Sequence, residues 1–304
     1  MIFPIYLNPT IDKTVYLDSF VYGGTNRVDE VLEQGGGKAL NLSVVLSRLG
    51  EEVQAAGFIC ELNNTIILDA FGEIPTSFIE IPSGPRVNLK IVDRSAFITT
   101  EVNEKGPEIS PLQLRTFDAL LADILTEEDT VVLSGALPPG APMDYYAHII
   151  SSVPCKVALD ASGEALRLAV KEKPYIIKPN IEEFEQLTGK TYGNKEEIIA
   201  AARALIAAGI EICVVSLGAE GALIIDSKEA YYAAPVVSNP DSTVGAGDSM
   251  LAGILYELTE KNSIADAIKM GTAAAGATIT LPGTALASAE RIYEFLPKVV
   301  VEKI

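Results

Sequence analysis

Apolar residues run through the second half of this chain in short unbroken stretches, at 130–133, 156–159, 175–177, 212–215 and 222–225. Between them lie segments whose apolar positions recur at helical spacing, as at 111–125, 181–187 and 195–208. A strand buried on both faces needs apolar side chains in both directions, whereas a half-exposed strand alternates. Unbroken runs separated by amphipathic helices therefore predict a mainly parallel sheet covered on both faces. The first half begins the same way, with an apolar strand at 2–7, and then changes. From Lys13 to Glu33, and again from Val87 to Val102, β-branched and aromatic residues mix with charged ones, the pattern of exposed strands rather than core. Between these groups Leu42, Val45, Leu46 and Leu49 form one face of a helix that opens after Gly35-Gly36-Gly37 and stops at Gly50.

In an open parallel sheet, ligands sit beyond the carboxyl ends of the strands, so the turns directly after the strands are where chemistry is expected. Those turns are polar: Asn8 to Asp12, Ser134-Gly135, Asp160-Ala161-Ser162-Gly163, Lys178-Pro179-Asn180 and Ser216-Leu217-Gly218. A further turn, Thr243-Val244-Gly245-Ala246-Gly247-Asp248, precedes a helical run of small residues from Ser249 to Leu258. Glycines before a helix let the backbone approach a ligand and aim several N–H groups at one point, and the helix dipole adds positive potential. Such a cradle holds a phosphoryl group in transfer without a lysine. Asp248 in the first turn, kept ionised by donors and dipole, is placed to take the proton of an attacking hydroxyl. A plain glycine turn with Asp248 as an ordinary helix-start charge explains the same letters.

Two other turns carry similar alternatives. Gly35-Gly36-Gly37-Lys38-Ala39-Leu40-Asn41 offers backbone N–H groups and an amide suited to a hydroxyl-rich ligand, or simply a flexible lead into a helix. Lys178-Pro179-Asn180 with Glu183 puts an amide and a carboxylate on neighbouring helix positions. They suit Mg2+ held through water, or an N-cap with its capping-box partner. Rival phosphate motifs fail. Gly37-Lys38 is followed by Ala39 where a P-loop needs a hydroxyl, and Met250 stands where a dinucleotide fingerprint needs glycine.

Charge narrows the reading. The 304 residues, 48% of them hydrophobic, suffice for one large α/β domain with a small appendage, or for two modest domains. With 23 Lys and Arg against 41 Asp and Glu, the net charge is −18. A field of that sign repels nucleic acid and anionic membranes, which are set aside as partners. It repels nucleotides and sugar phosphates as well, so cations must be concentrated at any site that takes them. Arg27, Lys38, Arg86, Lys90 and Lys105, in or beside the two polar strand groups, are the evident source. His148 is the sole histidine, which excludes a multi-histidine metal site. Cys60, Cys155 and Cys213 are far apart and read as reduced thiols of a cytoplasmic protein. No apolar run reaches the roughly 18–20 residues of a membrane span.

Taken in order, these motifs resemble those of the ribokinase-like (PfkB-type) carbohydrate kinases, and within them the branch of 1-phosphofructokinase and tagatose-6-phosphate kinase. The resemblance runs nearly end to end. It is carried by Leu7 to Asp12, Asn26-Arg27, Gly36-Gly37-Lys38 with Asn41, and Arg86 to Lys90. Asn103 with Gly106-Pro107, Ser134 to Pro138, Leu159 to Glu164, Lys178-Pro179-Asn180 and Val215 to Gly218 follow, and the C-terminal signature Ser242 to Asp248 closes the series. It implies a single domain over residues 1–304, a three-layer α/β/α ribokinase-like fold with a β-sheet lid from roughly 13–34 and 86–104. Asp248 would be the base, with the amides of Gly245, Ala246 and Gly247 as the anion hole for the γ-phosphate of ATP. Asp12, Gly36, Gly37 and Asn41 would bind the sugar, joined by Asn88 and Asn103. Arg27 and Arg86, with Lys38 and Lys90, would hold its phosphate. Lys178, Asn180, Glu183, Ser216, Gly218 and Gly221 would face ATP and Mg2+, with Asn180 and Glu183 as the metal pair. A homodimer through the lid is expected.

Three departures bear on the substrate. Cys60-Glu61 stand where these kinases carry a Gly-Gly pair against the sugar, Ala136 replaces a serine, and Ala39 replaces a glycine. The expected activity is ATP-dependent transfer of the γ-phosphate to a hydroxyl of a ketohexose phosphate, fructose 1-phosphate first and tagatose 6-phosphate second. A kinase for a non-phosphorylated sugar or nucleoside is the alternative that Arg27 and Arg86 oppose. A non-catalytic sugar-phosphate-binding protein is the alternative that the intact turn at 245–248 opposes.

Overall fold

Ten strands assemble into one sheet and four into another. The structure, a computed structural model, describes residues 1–260 and 262–304. The chain opens with β1 (Ile2–Tyr6), crosses into β2 (Thr10–Leu17) and β3 (Glu30–Gly36), and turns into α1 (Lys38–Leu49). β4 (Ala55–Cys60), α2 (Asn64–Phe71) and β5 (Thr76–Ile81) follow, then β6 (Arg86–Asp93) and β7 (Ile98–Asn103). After α3 (Pro111–Ile124) come β8 (Thr130–Ser134), α4 (Tyr145–Ser152), β9 (Lys156–Asp160), α5 (Gly163–Ala169) and β10 (Ile176–Ile177). Helices α6 (Ile181–Thr188) and α7 (Lys195–Ala207) lead to β11 (Ile212–Ser216), β12 (Ala222–Ile225) and β13 (Ala230–Ala233). The last elements are α8 (Ala246–Thr259), α9 (Ile264–Thr278), α10 (Ala289–Phe295) and β14 (Val301–Lys303).

The large sheet has the order β14-β13-β12-β11-β10-β9-β8-β1-β4-β5. It is parallel from β5 to β11, as the alternating pattern predicts. The run 222–225 is the exception: β12 pairs antiparallel with β11, and β13 and β14 continue antiparallel. The link 217–221 is a single tight turn, far too short for the crossover that a parallel neighbour requires.

Neighbouring residues on the central strands point into different cores, which is why the runs are unbroken. Val131 and Leu133 join one cluster with Val157 and Leu159, while Val132 and Ala158 join the other. The first core is closed by α3 to α7 through residues such as Phe117, Tyr146, Leu166, Phe184 and Ile198. The second is closed by α1, α8, α9 and α10 through Leu42, Leu46, Leu251, Ile268 and Ile292. A smaller cluster of Tyr6, Ile11, Leu40, Ile67 and Phe71 packs α2 beneath the second sheet.

That second sheet, in the order β3-β2-β6-β7, stands over the carboxyl ends of the parallel strands. Register separates its faces. Thr10, Asp12 and Thr14 of β2 pair with Arg86, Asn88 and Lys90 of β6, and Asn88 and Lys90 pair in turn with Asn103 and Glu101 of β7. On the other face they alternate with Val15, Leu89, Ile91, Ile98 and Val102, among which Lys13, Asp93 and Thr100 also stand. Ile98 and Val102 of that apolar face are 58% and 54% exposed.

Candidate active site

The turns that follow β1, β8, β9, β10 and β11 lie at one end of the sheet because those strands are parallel. There they meet the first turns of α1 and α8 beneath the polar face of the small sheet. The space between is a cleft of about 370 Å3. Roomier surface grooves elsewhere, along Glu182–Thr191 and between Met1 and Pro75, bring together no comparable set of polar side chains.

Gly245 caps α8 with φ +77°, the left-handed conformation that glycine adopts without strain. The helical ladder begins with the Ser249 N–H donating to the Gly245 carbonyl at 2.9 Å. The amides of Gly247 and Asp248 therefore precede it, and they stand at the positive end of the helix dipole. The Ala246 amide is drawn back toward Thr243 O, at 3.4 Å, and Ala246 does not line the cleft.

Asp248 is 5% exposed. Burial pushes its carboxyl above the usual carboxylate range, and the charge of Asp160 adds to this, while Lys38, Asn41 and Lys178 pull it back. The dipole and donors that should hold this group low are thus outweighed by desolvation. A carboxylate raised in this way is a better proton acceptor than a solvated one. Asn41 Nδ2 donates to Asp248 Oδ2 at 2.8 Å, because α1 packs directly against α8.

Asp160 ends β9, fully buried, and lies between two lysines. Lys38 Nζ donates to its Oδ1 at 3.1 Å, and Lys178 Nζ lies 3.2 Å from its Oδ2. Burial alone would raise this carboxyl; Lys178 and Lys38 hold it below the usual range instead. Lys38 is raised by Asp160 and Asp248, which overcome the effect of its burial. Two cations thus answer two buried carboxylates, Lys178 from within the protein and Lys38 from a partly exposed position. Lys178 also touches the glycine turn: a Cβ placed on Gly247 would fall 3.3 Å from its Nζ.

On the side of the small sheet, Asn88 Nδ2 donates to Asp12 Oδ1 at 3.0 Å, and Lys90 Nζ stands 3.6 Å from Asp12 Oδ2. Gly36 has no side chain where a Cβ would fall 2.6 Å from Asp12 Cγ. Arg86 spends only Nε on Thr10 Oγ1, at 2.8 Å. Burial lowers the pKa of Arg86 from the ordinary value. Asn88 Oδ1 is buried without a partner among the described residues, so this acceptor is free for a hydroxyl.

On the other side, Asn180 and Glu183 form a full capping box at the start of α6. Asn180 Oδ1 accepts from the Glu183 N–H at 2.8 Å, and Glu183 Oε2 accepts from the Asn180 N–H at 2.9 Å. Both residues also line the cleft. Among the described residues no group of three or more His, Cys, Asp or Glu side chains is gathered to hold a metal ion.

The cleft thus collects Asp12, Gly37, Lys38, Asn41, Arg86, Asn88, Lys90 and Asn103 with Lys178, Asn180, Glu183, Ser216, Gly245, Gly247 and Asp248. Gly36 lies just behind Asp12. Arg27 is exposed on the link between β2 and β3 and does not line the cleft, nor do Gly218 and Gly221 of the turn after β11. Glu61 and Ala136, the departures expected to disturb the substrate, are both exposed and outside the lining. Two lining residues had no role assigned from sequence, Glu101 and Asp160, while Thr243 and Val244 belong to the turn already read as a cradle. Glu101 has the same strand parity as Asn103, so alternation along β7 was a usable signal. Asp160 stands directly after an apolar run, the position where chemistry was expected.

The described residues contain no helix long and apolar enough to cross a membrane. Comparison with known proteins bears on the cleft. Residues 6–291 match the model of the pfkB family of carbohydrate kinases. The 1-phosphofructokinase of Bacillus subtilis is 32% identical, with 100% of each chain covered. That of Xanthomonas campestris pv. campestris is 36% identical over 84% of this chain and 83% of its own. Among solved structures, phosphofructokinase-2 from Escherichia coli in complex with substrates and products superposes with a TM-score of 0.92. It is 25% identical, with 97% of this chain and 98% of that one covered.

Proposed function

Since this chain belongs to the pfkB family of carbohydrate kinases, we propose that it transfers the γ-phosphate of ATP to a hydroxyl of a ketohexose phosphate, with fructose 1-phosphate as the substrate. One observation carries the reading. The cleft that ends in a buried carboxylate beside free helix-start amides also holds the guanidinium of Arg86, with its two terminal nitrogens uncommitted among the described residues. In a chain of net charge −18, a cation kept there calls for an anionic group on the acceptor. The names of the curated relatives support fructose 1-phosphate as that acceptor.

The steps follow from the side chains. Asp12, Asn88 and the Gly36-Gly37 backbone hold the sugar hydroxyls, and Arg86 with Lys90 takes the sugar phosphate. Asp248 accepts the proton of the attacking hydroxyl as the new bond to the γ-phosphorus forms and the bond from that phosphorus to the β–γ bridging oxygen breaks, releasing ADP. The amides of Gly247 and Asp248 and the ammonium of Lys178 face the phosphoryl oxygens, where charge must be balanced during transfer. Asn180 and Glu183 each commit one oxygen to the capping box, which leaves Glu183 Oε1 uncommitted among the described residues. That set suits Mg2+ bound through water, since this cation takes few protein ligands and shares itself with phosphates. When bound, it would offset the negative charge of the nucleotide phosphates.

A second copy of the chain covers the apolar face of the small sheet. Leu89 and Ile91, half-buried, and Ile98 and Val102, exposed, leave apolar surface on that face that a partner would cover. Sedimentation velocity should give a dimer, and Val102→Asp should dissociate it.

The kinase reading is tested by following ADP release with fructose 1-phosphate, fructose 6-phosphate, tagatose 6-phosphate, fructose and ribose. Turnover should be fastest at low concentration with fructose 1-phosphate. Turnover confined to the unphosphorylated sugars would refute the reading.

A further inference from the structure

We propose that Asp160 is the positioning residue for Lys178: its carboxylate, anchored on one oxygen by Lys38, uses the other to aim the Lys178 ammonium at the phosphoryl group held over the Gly247 turn. The inference rests on the kinase reading and gives a role to a residue that neither binds substrate nor exchanges a proton.

Three observations carry it. Asp160 is 1% exposed and Lys178 4% exposed, so neither is a solvated surface charge. The two Asp160 oxygens are divided between lysines that arrive from different elements. Lys38 opens α1, while Lys178 follows β10, the strand beside β9. The ammonium of Lys178 then lies where any Cβ on residue 247 would press on it, at 3.3 Å. A lysine is a flexible rod with a compact charge at its tip, and four side-chain torsions must be set before that charge is useful in a transition state. Oδ2 of Asp160, which accepts no well-formed hydrogen bond despite its burial, fixes the tip by charge while leaving the N–H directions of Lys178 open to a ligand.

The backbone holds Asp160 in place. Its carbonyl accepts from the Gly135 N–H at 3.0 Å, and the Lys178 N–H donates to Leu159 O at 3.0 Å, so carboxylate and lysine sit on adjoining strands in fixed register. The charged groups facing Asp248 are Lys38 from α1, Asp160 from β9 and Lys178 from the turn after β10. Removing the charge of Asp160 therefore takes away the anion that raises Asp248 and leaves Lys38 and Lys178, which lower it; Asp12, Glu101 and Glu183 also line the cleft.

The test is Asp160→Asn, assayed for turnover over a range of pH beside the wild type. kcat should fall about 10²-fold, the scale for losing one well-placed transition-state donor, while KM for ATP and for the sugar phosphate stays close to wild type. The acid limb of the kcat profile should move to lower pH, which a merely structural role would not do. In a Lys178→Met background, Asp160→Asn should change kcat little further, because the group it positions is gone. That double variant also keeps the buried charges balanced, so the comparison with Lys178→Met stands even where the single variant is unstable. Wild-type kcat in Asp160→Asn, an unmoved acid limb, or a further large loss in the Lys178→Met background would each overturn the role. No sugar-dependent turnover by the wild-type chain would overturn the kinase reading and this inference with it; turnover in the wild type with any of the other outcomes overturns this inference alone.

Discussion

The side-chain amide of Asn41 donates a 2.8 Å hydrogen bond to Oδ2 of Asp248, joining residues 207 positions apart in the chain. The donor belongs to α1, which follows the Gly35-Gly36-Gly37 turn, and the acceptor to α8, which follows Gly245. An N–H bond to a carboxylate favours its charged form, so Asn41 restrains the rise that burial imposes on Asp248.

Asn41→Ala should therefore act on the base. The Asp248 carboxyl, already above the usual range, rises further when the donor is lost, so the acid limb of the kcat profile moves to higher pH. This is opposite in sign to Asp160→Asn. A limb that stays in place, with only KM for the sugar changed, would mean that Asn41 serves the sugar alone.

Asp248→Asn removes the proton acceptor while keeping an oxygen for Asn41. kcat is expected to fall by about 10²–10⁴-fold, the usual contribution of a positioned general base. Binding of ATP, followed by calorimetry, should be nearly unaffected. Turnover close to that of the wild type would remove Asp248 from the proton transfer.

Arg86→Ala should raise KM for the sugar phosphate far more than KM for ATP, since a charge-assisted contact to one substrate is lost. Thr10 Oγ1 loses the Arg86 donor in the same variant and keeps only its bond to Asn8 O, so Arg86→Lys is the better control: the charge remains but the fork is gone. Steady-state kinetics with each substrate varied in turn separates the two. Equal effects on both KM values would argue against a contact to the sugar phosphate.

Gly106→Ala tests the hinge of the small sheet. Gly106 has φ +105°, and a Cβ there would fall 2.1 Å from Asn8 Oδ1, while Asn8 Nδ2 donates to Lys105 O at 3.1 Å. Asn8 thus ties the chain entering the small sheet to the chain leaving it. The variant must shift this tie and strain its own backbone, an effect of order 1–3 kcal/mol. Thermal unfolding should show the loss, and KM for the sugar should rise with it. An unchanged melting temperature would show that the hinge absorbs the side chain.

Much of this was legible in the chain itself, for identifiable reasons. The run 130–133 has apolar side chains in both directions because Val131 and Val132 feed different cores, and a residue-by-residue pattern records that directly. Turns after such runs carry the polar groups because parallel strands end together. Less legible was β12: its apolar run looks like its neighbours, and only the shortness of the link 217–221 sets its direction. Glu101 was legible only through its parity with Asn103, because an acidic residue on an exposed strand reads as a solvated charge until the pairing with Lys90 of β6 sets its face.

The order and chemistry of the strand-end turns, the mainly parallel sheet and the helix-start glycines were thus determined by sequence alone, because each is a local matter of spacing and residue type. Only the tertiary structure decided the electrostatics at Asp248. Sequence placed it at a helix start, where donors and dipole favour its charge; packing of α1 against α8 removed it from water, gave it Asn41 as a partner, and set Lys38, Asp160 and Lys178 around it. Glu61 shows the same division. As a letter beside the expected sugar site it put the substrate in question, yet it lies just past the end of β4 and is exposed, and an exposed carboxylate is screened by water and salt from whatever the cleft holds.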